Sequence, residues 1–158
     1  MRIWEIVNAD SAHIPAIAAN MREADRREVW ASHRHTPEQA LRMSLVCSTV
    51  AWTCLVEGSP AFMWGVVRRG SIFSDVGVPW LLGTDAIFKV SREFLKQSRA
   101  YVDRMQEGFL RLENHVHSGN TLSIRWLRWC GFSIDMDIPE LINDEDFYLF
   151  WRESVCVQ

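Results

Sequence analysis

Residues 110–132 read LRLENHVHSGNTLSIRWLRWCGF, and this stretch decides the fold class. Its first part, 110–116, alternates with the two-residue period of a strand. Residues 117–120 carry a Ser-Gly pair and form a turn signal. Apolar side chains then recur at helical spacing over 123–130, and Gly131 stands where a left-handed helix cap belongs. The stretch therefore predicts a strand, a short turn and a helix that ends at a glycine.

Length and composition predict one folded domain over residues 1–158. The chain is 48% hydrophobic and 23% charged, which suffices for a sizeable core. Its net charge of -3 argues against a general nucleic-acid-binding protein. No apolar run has the length of a signal peptide or a membrane span, and the four cysteines lack disulfide or metal spacing. We therefore expect a cytoplasmic protein with reduced thiols and with no membrane or nucleic-acid partner.

Strands and helices alternate along the rest of the chain. Period-two or apolar runs predict further strands at residues 3–7, 50–56, 61–67, 79–83, 133–137 and 147–151. Helical spacing and capping signals predict further helical segments at residues 10–21, 20–32, 36–47 and 84–105. Residues 68–78 and the acidic segment 139–146 are predicted as loops. This order predicts an α/β (α+β) fold with a mixed central sheet of six to seven strands and helices on both faces.

Several positions of the opening stretch fall at the spacing of a known family: Asn120, Ser123, Ile124, Leu127, Gly131 and Phe132. The stretch resembles the fifth strand and fourth helix of the GCN5-related N-acetyltransferases, the GNAT superfamily. The order of elements is also similar, so the resemblance covers most of the chain. It implies a GNAT-like fold and an acyltransferase that moves an acetyl group from acetyl-CoA to an amine. It also implies that acetyl-CoA lies in a V-shaped opening between the fourth and fifth strands.

The same resemblance implies where the cofactor would bind. Main-chain groups of the strand 79–83 would hold the pantetheine arm and polarise the acetyl carbonyl. Amides at the start of the next helix would cradle the diphosphate, because a helix start offers free N–H groups and a positive dipole end. The cofactor-binding residues implied in this way are Leu81, Leu82, Gly83, Thr84, Asn114 and Asn120. A helix-capping role is equally compatible with Asn120.

The sequence departs from the GNAT pattern at the places that matter for chemistry. The family's glycine-rich phosphate signature is absent, and one glycine, Gly83, remains. Asp85 puts a carboxylate where a phosphate would sit, so Thr84 and Asp85 also fit as ordinary helix caps. Leu127 stands where the family often carries a tyrosine that protonates the leaving thiolate. These departures keep open the alternative that the protein is a catalytically degenerate GNAT-fold component.

The second helical segment carries the candidate catalytic carboxylates. Asp25 and Glu28 lie three residues apart on one helical face, and Glu28 interrupts a line of small apolar residues. A carboxylate there could take a proton from an acceptor amine. The alternative is an ordinary ion pair with Arg22 or Arg26 on a surface helix.

Histidines supply a further candidate base. His115 is predicted to share a strand face with His117 and Glu113, which makes it a candidate for proton transfer. His33 and His35 form a second pair with the same spacing. Because neither pair is completed by another ligand at close spacing, we expect no metal site.

A narrower resemblance is to a family of acetyltransferase-like or internal virion proteins of short-tailed bacteriophages. It is carried by residues 20–26 (NMREADR), 80–85 (WLLGTD) and 124–127 (IRWL). It implies a phage-encoded protein in the host cytoplasm or in the virion, with an amine acceptor or a phage or host protein as partner. The line Leu122, Trp126 and Trp129 could meet a second subunit in a homodimer or another protein, or could be covered by the closing strands.

Overall fold

The computed structural model describes residues 3–155, apart from the side chain of Ser91. The strands form one sheet in the order β1-β2-β3-β4-β5-β7-β6. Their bounds are β1 (Trp4–Asn8), β2 (Ser48–Val56), β3 (Ser59–Arg68), β4 (Val76–Gly83), β5 (Arg111–His117), β6 (Ser133–Ile142) and β7 (Glu145–Glu153). Neighbouring strands are antiparallel except β4 and β5, which are parallel. The predicted mixed sheet of six to seven strands is therefore confirmed.

Helices cover both faces of this sheet. A 3₁₀ turn (Ser11–His13) leads into the helices α1 (Ile14–Ala19), α2 (Glu23–His33), α3 (Pro37–Cys47), α4 (Ile87–Gln106) and α5 (Thr121–Trp129). Phe62 and Trp64 of β3 pack in one core with residues of α4 and α5, whereas Met63 packs in a second core with residues of α1 and α3. Alternation along the strand explains this division, because successive side chains point to opposite faces. We refer to these as the α4/α5 face and the α1/α3 face.

Several local signals act as the sequence predicts. Thr36 and Gln39 form a reciprocal capping box at the start of α3. Asn120 caps α5 by accepting a hydrogen bond from the Ser123 N–H. Gly131 follows α5 with φ of 87°, the left-handed conformation that favours glycine.

Three predicted boundaries are wrong. Helix α4 has Ala86 as its N-cap, because Thr84 still belongs to the sheet side: its N–H donates to Ala61 O and its hydroxyl accepts from the Ala86 N–H. The acidic segment 139–146 is mostly strand, because a tight β6–β7 hairpin turns at Asn143 and Asp144 with φ of 49° and 67°. Charge alone suggested a loop there, but an edge strand tolerates charged side chains. Strand β4 also begins earlier than predicted, at Val76.

The tryptophan-bearing side of α5 packs on α4. Trp126 Nε1 donates to Ser98 Oγ over 2.9 Å, and Trp129 Nε1 donates to Leu95 O over 2.9 Å. The guanidinium of Arg99 lies 4.1 Å from the centre of the Trp129 ring. Helix α4 therefore holds both tryptophans of this line, although Trp129 is still 44% exposed.

Among the described residues, no helix is long and apolar enough to cross a membrane. Cys54 and Cys130 are buried free thiols, whereas Cys47 is an exposed one. Burial raises the pKa of both buried thiols to about 12. The fourth cysteine, at position 156, lies outside the described residues.

Candidate functional site

Strands β4 and β5 pair only at their first residues and then separate. Their register contains two pairs, Val76 with Arg111 and Gly77 with Leu112. One side-chain bridge follows, in which Asn114 Nδ2 donates to Pro79 O over 2.9 Å. Beyond Pro79 no described main-chain hydrogen bond joins the two strands, so the sheet opens into a gap.

The main chain of β4 turns alternate residues toward this gap. The main-chain oxygen of Pro79 faces the gap, because the Asn114 side chain binds it. Gly83 also faces the gap, because its N–H donates to Asp25 and its C=O accepts from the Arg22 N–H. In an antiparallel ladder, residues two apart point their N–H and C=O groups the same way. Leu81 therefore presents its main-chain N–H and C=O to the gap, whereas Leu82 faces β3 opposite Met63.

A buried ionic cluster closes the far end of the gap. The carboxylate of Asp25 accepts hydrogen bonds from Gly83 N–H at 3.0 Å and from Arg22 Nη2 at 3.0 Å. Arg22 Nη2 also lies 3.4 Å from Asn120 Oδ1, and Asn120 Nδ2 donates to Glu28 Oε2 over 2.7 Å. We call these four side chains, Arg22, Asp25, Glu28 and Asn120, the strap, because they link the end of β4 to the turn after β5.

Burial raises the pKa of both carboxyl groups in the strap. The pKa of Glu28 rises to about 7, and hydrogen bonds from Asn120 and from the His117 main chain limit the rise while the charge of Asp25 adds to it. Desolvation also raises the pKa of Asp25, against the opposing effect of Arg22. The predicted ion pair therefore forms between Arg22 and Asp25, but it is buried and does not lie on a surface helix. The proposed proton transfer by Glu28 stays a prediction.

A cleft of about 990 Å³ runs through the gap and opens on both faces of the sheet. On the α1/α3 face it is lined by Glu28, Val29, Ser32, His33, His35, Met43, Cys47 and Trp80, among others. On the α4/α5 face it is lined by Leu81, Ile87, Leu95, Leu122, Arg125 and Trp129, among others. A molecule bound on one face can therefore reach a molecule bound on the other at the open part of the gap.

The predicted cofactor-binding residues divide into those open to the gap and those already engaged. Leu81 is open to the gap, and Leu82 lines the cleft by its side chain. The N–H groups of Gly83 and Thr84 are bound by Asp25 and by Ala61 O. The side chain of Asn114 bridges the strands, and that of Asn120 belongs to the strap. The local sequence does not predict these hydrogen bonds, since the residues that form them are distant from each other in the chain.

The predicted catalytic residues lie in two places, the strap and the cleft wall formed by β5. Asp25 and Glu28 both belong to the strap, and Glu28 lines the cleft. His115 lines the cleft as well, with its Nε2 atom 2.6 Å from Glu140 Oε2 but without a hydrogen bond. His117 Nε2 lies 2.7 Å from Glu145 Oε1. Within residues 3–155, no group of three or more His, Cys, Asp or Glu side chains could hold a metal ion.

Sequence reasoning missed the part of the cleft wall that α3 supplies. Met43 and Cys47 are exposed and line the cleft, and they lie four residues apart on one side of the helix. Two apolar residues at this spacing on the outer side of an amphipathic helix were the available signal. Without the fold, nothing distinguished them from isolated surface residues.

No protein-family model matches the sequence, and no curated protein matches it either. Solved structures do match the fold. Ard1 from Thermoplasma volcanium has a TM-score of 0.67 at 16% identity, over 98% of this chain and 99% of that one. A GCN5-related N-acetyltransferase from Kribbella flavida has a TM-score of 0.66 at 16% identity, over 96% and 98% of the two chains. YncA from Salmonella typhimurium, solved with its cofactor acetyl-CoA, has a TM-score of 0.64 at 15% identity, over 96% and 94%.

This chain has the GNAT fold. The resemblance that the strand-Asn-helix-Gly-Phe stretch carries is confirmed at the level of fold by these neighbours. Fold alone does not establish activity, because one fold can host different chemistry. In this GNAT fold, β4 and β5 are the strands that part, and α2 supplies Asp25 and Glu28 to the strap across their far end.

Proposed function

We propose that the protein is an N-acetyltransferase that uses acetyl-CoA as the acetyl donor and an amine as the acceptor. The observation that carries this proposal is the position of Leu81, whose main chain faces an open gap inside a cleft that crosses the sheet. A thioester arm lying in that gap would take the place of a missing strand neighbour. Its carbonyl oxygen would meet the Leu81 N–H, which would stabilise the oxyanion that forms during acyl transfer.

Glu28 is the residue we assign to proton transfer. It lines the cleft beside the gap, and its pKa of about 7 suits a general base at neutral pH. The amine nitrogen attacks the thioester carbon while Glu28 accepts an amine proton. The C–S bond then breaks and coenzyme A leaves as a thiolate, because Leu127 is buried and carries no proton to donate. Asp25 holds Gly83 and Arg22 in this scheme, which makes it a positioning residue.

The contacts for the diphosphate differ from those of a glycine-rich loop. The Thr84 and Ala86 N–H groups are already bound, and Asp85 adds a negative charge at the start of α4. Arg125 lines the same side of the cleft from α5 and is exposed. We therefore assign phosphate binding to Arg125 in this proposal, since a guanidinium can replace missing main-chain donors.

Thermal unfolding in the presence of acetyl-CoA tests the proposal. Ligand at about 100 times its Kd adds about 2.7 kcal/mol to the free energy of unfolding. For a chain of this size, that gain corresponds to a Tm increase of roughly 5–10 °C. Adenosine alone serves as the control ligand, because it lacks the thioester arm. No shift with millimolar acetyl-CoA would rule out the transferase.

The second candidate is a GNAT-fold protein that binds a partner without catalysis, for example in phage assembly. The observation that favours it is the strap, which already occupies the Gly83 N–H and both polar atoms of the Asn120 side chain. The predicted phage or host partner and the predicted homodimer belong to this candidate. Absence of acetyl-CoA binding, together with a stable complex after mixing with virion components, would support it over the transferase.

A further inference from the structure

The mouth of the cleft on the α1/α3 face has a composition that restricts the acceptor. Its walls come from the end of α2, from α3, from β4 and from the end of β6, and they include apolar and aromatic side chains: Val29, Ala40, Met43, Trp80, Leu82 and Ile142. The polar side chains that accompany them are two serines, Ser32 and Ser44, together with three histidines and the charged groups of Arg22, Glu28 and Arg69. A ligand in this mouth would therefore exchange water for apolar contacts over most of its surface.

Charge in this mouth is almost fully compensated. Arg22 is paired with Asp25, and Arg69 is paired with Glu113. His115 has Glu140 beside it. Among the described residues that line the cleft, Glu28 is the one carboxylate. Among the described cleft-lining residues, an incoming cation therefore meets one carboxylate, at the edge of the gap.

His33 at the rim of the mouth adds no strong positive charge. The rings of His33 and His35 stack with centroids 5.5 Å apart. Desolvation, and then the neighbouring His35, lower the pKa of His33 below its ordinary value. His33 is therefore neutral at neutral pH and offers a flat aromatic wall to the mouth.

We propose that the acceptor is a molecule with a single amine next to an uncharged, apolar or aromatic group. This inference rests on the proposed acetyltransferase function and specifies its substrate class. The amine would lie against Glu28 at the gap, and the apolar group would lie among Met43, Trp80 and Ile142. A polyamine does not fit, because each further ammonium group would enter the apolar mouth without a carboxylate partner.

The same chemistry occurs in two sources, a small arylalkylamine and the N-terminal residue of a peptide. A panel of four acceptors distinguishes them: phenethylamine, spermidine, a peptide that begins with phenylalanine and a peptide that begins with aspartate. Coenzyme A release is measured with each acceptor. We expect kcat/KM for phenethylamine or for the phenylalanine peptide to exceed that for spermidine and for the aspartate peptide by at least about tenfold. Whichever of the two favoured acceptors is faster identifies the source.

A pair of variants ties the preference to this mouth. Met43 lines the cleft, whereas Val46, one turn further along α3 and also exposed, does not. We expect Met43→Asp to lower kcat/KM for the favoured acceptor about tenfold and to reduce its advantage over spermidine. Val46→Asp should leave both values unchanged. Acetyl-CoA binding should be the same in both variants, since both residues lie on the opposite face from Arg125.

The outcomes distinguish failure of the proposed acceptor class from failure of the proposed transferase. A preference for spermidine, or equal loss in Met43→Asp and Val46→Asp, overturns the acceptor class while acetyl-CoA binding still supports the transferase. Binding of acetyl-CoA without turnover of any of the four amines also overturns the acceptor class. Failure to bind acetyl-CoA overturns the transferase itself and the acceptor class with it.

Discussion

The side-chain amide of Asn120 donates a hydrogen bond to the carboxylate of Glu28 over 2.7 Å. This contact joins the turn after β5 to the middle of α2, and it holds Glu28 at the end of the gap between the parted strands. The Oδ1 atom of Asn120 is at the same time engaged by the Ser123 N–H and by Arg22. One asparagine therefore caps α5 and also orients the carboxylate that we assign as the base.

Glu28→Gln should abolish most of the activity while leaving the fold intact. The amide keeps the size of the side chain and can still accept a hydrogen bond, but it cannot take a proton. We expect kcat to fall roughly 10²–10⁴-fold, with the acetyl-CoA-dependent Tm shift unchanged. Glu23→Gln is the matched control, because Glu23 is exposed on the same helix. Equal activity of the two variants would remove Glu28 from the mechanism.

The pH dependence of the activity should follow the same carboxyl group. Because the pKa of Glu28 is about 7, the group is mostly protonated below that pH and cannot act as a base. We expect kcat, measured at saturating acceptor, to rise as pH increases through about 7 in a steady-state pH profile. A profile that is flat from pH 5 to 8 would contradict the assignment.

Stability should change with pH in the opposite direction. The folded-state pKa of Glu28 is raised from 4.5 to about 7, so the folded protein holds a proton that the unfolded chain has released between these values. The free energy of unfolding therefore falls as pH rises through this window. Glu28→Gln lacks this contribution. The Tm of the variant, relative to that of the wild type, should therefore increase from pH 5 to pH 8. Parallel Tm curves would show that the pKa of Glu28 is not raised in the folded protein.

Asp25→Ala should cost far more stability than removal of a surface carboxylate. Asp25 is 3% exposed, pairs with Arg22 and binds the Gly83 N–H, so its loss leaves a buried guanidinium and a buried amide without partners. We expect a loss of roughly 3–5 kcal/mol in urea unfolding. Glu38→Ala is the control, because Glu38 and Arg42 form an exposed pair that contributes under about 1 kcal/mol. Similar losses in both variants would contradict a structural strap.

Gly83→Ala should also be destabilising, for a steric reason. A Cβ atom at this position would lie 2.3 Å from Phe62 Cβ and 3.0 Å from Phe62 Cα, so the main chain would have to shift. Overpacking of this kind typically costs about 1–3 kcal/mol. At Gly119 the nearest atom would be His117 Nδ1 at 3.2 Å, a much longer approach than at Gly83, so Gly119→Ala should cost less. Equilibrium unfolding of both variants checks the difference, and the reverse order would contradict it.

Local signals predicted most of the fold. The two-residue period of residues 110–116, the capping box at Thr36 and the glycine at 131 each act within a few residues, and each is found in the structure. The predictions that failed were those in which a local signal had a competitor elsewhere. Thr84 reads as a helix cap, but its N–H is taken by Ala61 O on the neighbouring strand. The acidic segment reads as a loop, but strand β7 pairs with it.

The candidate site was predictable only in part. The spacing of Asp25 and Glu28 placed both carboxylates on one side of a helix, and both belong to the strap. Their different roles could not be predicted, because Asp25 has Arg22 and Gly83 as partners whereas Glu28 has Asn120. The wall that Met43 contributes was also invisible, since it depends on how α3 lies beside the gap.

The sequence by itself determined the order of strands and helices and the likeness to the GNAT fold, because periodicity, caps and turn residues act over short distances along the chain. The tertiary structure alone decided which main-chain amides remain open to a ligand. Leu81 and Gly83 stand on the same side of β4, yet only Gly83 is bound by Asp25, which lies 58 residues away in the chain. A main-chain amide stays open to a ligand only if no distant side chain binds it. The packing of α2 against the sheet decides which amides of β4 its side chains can bind.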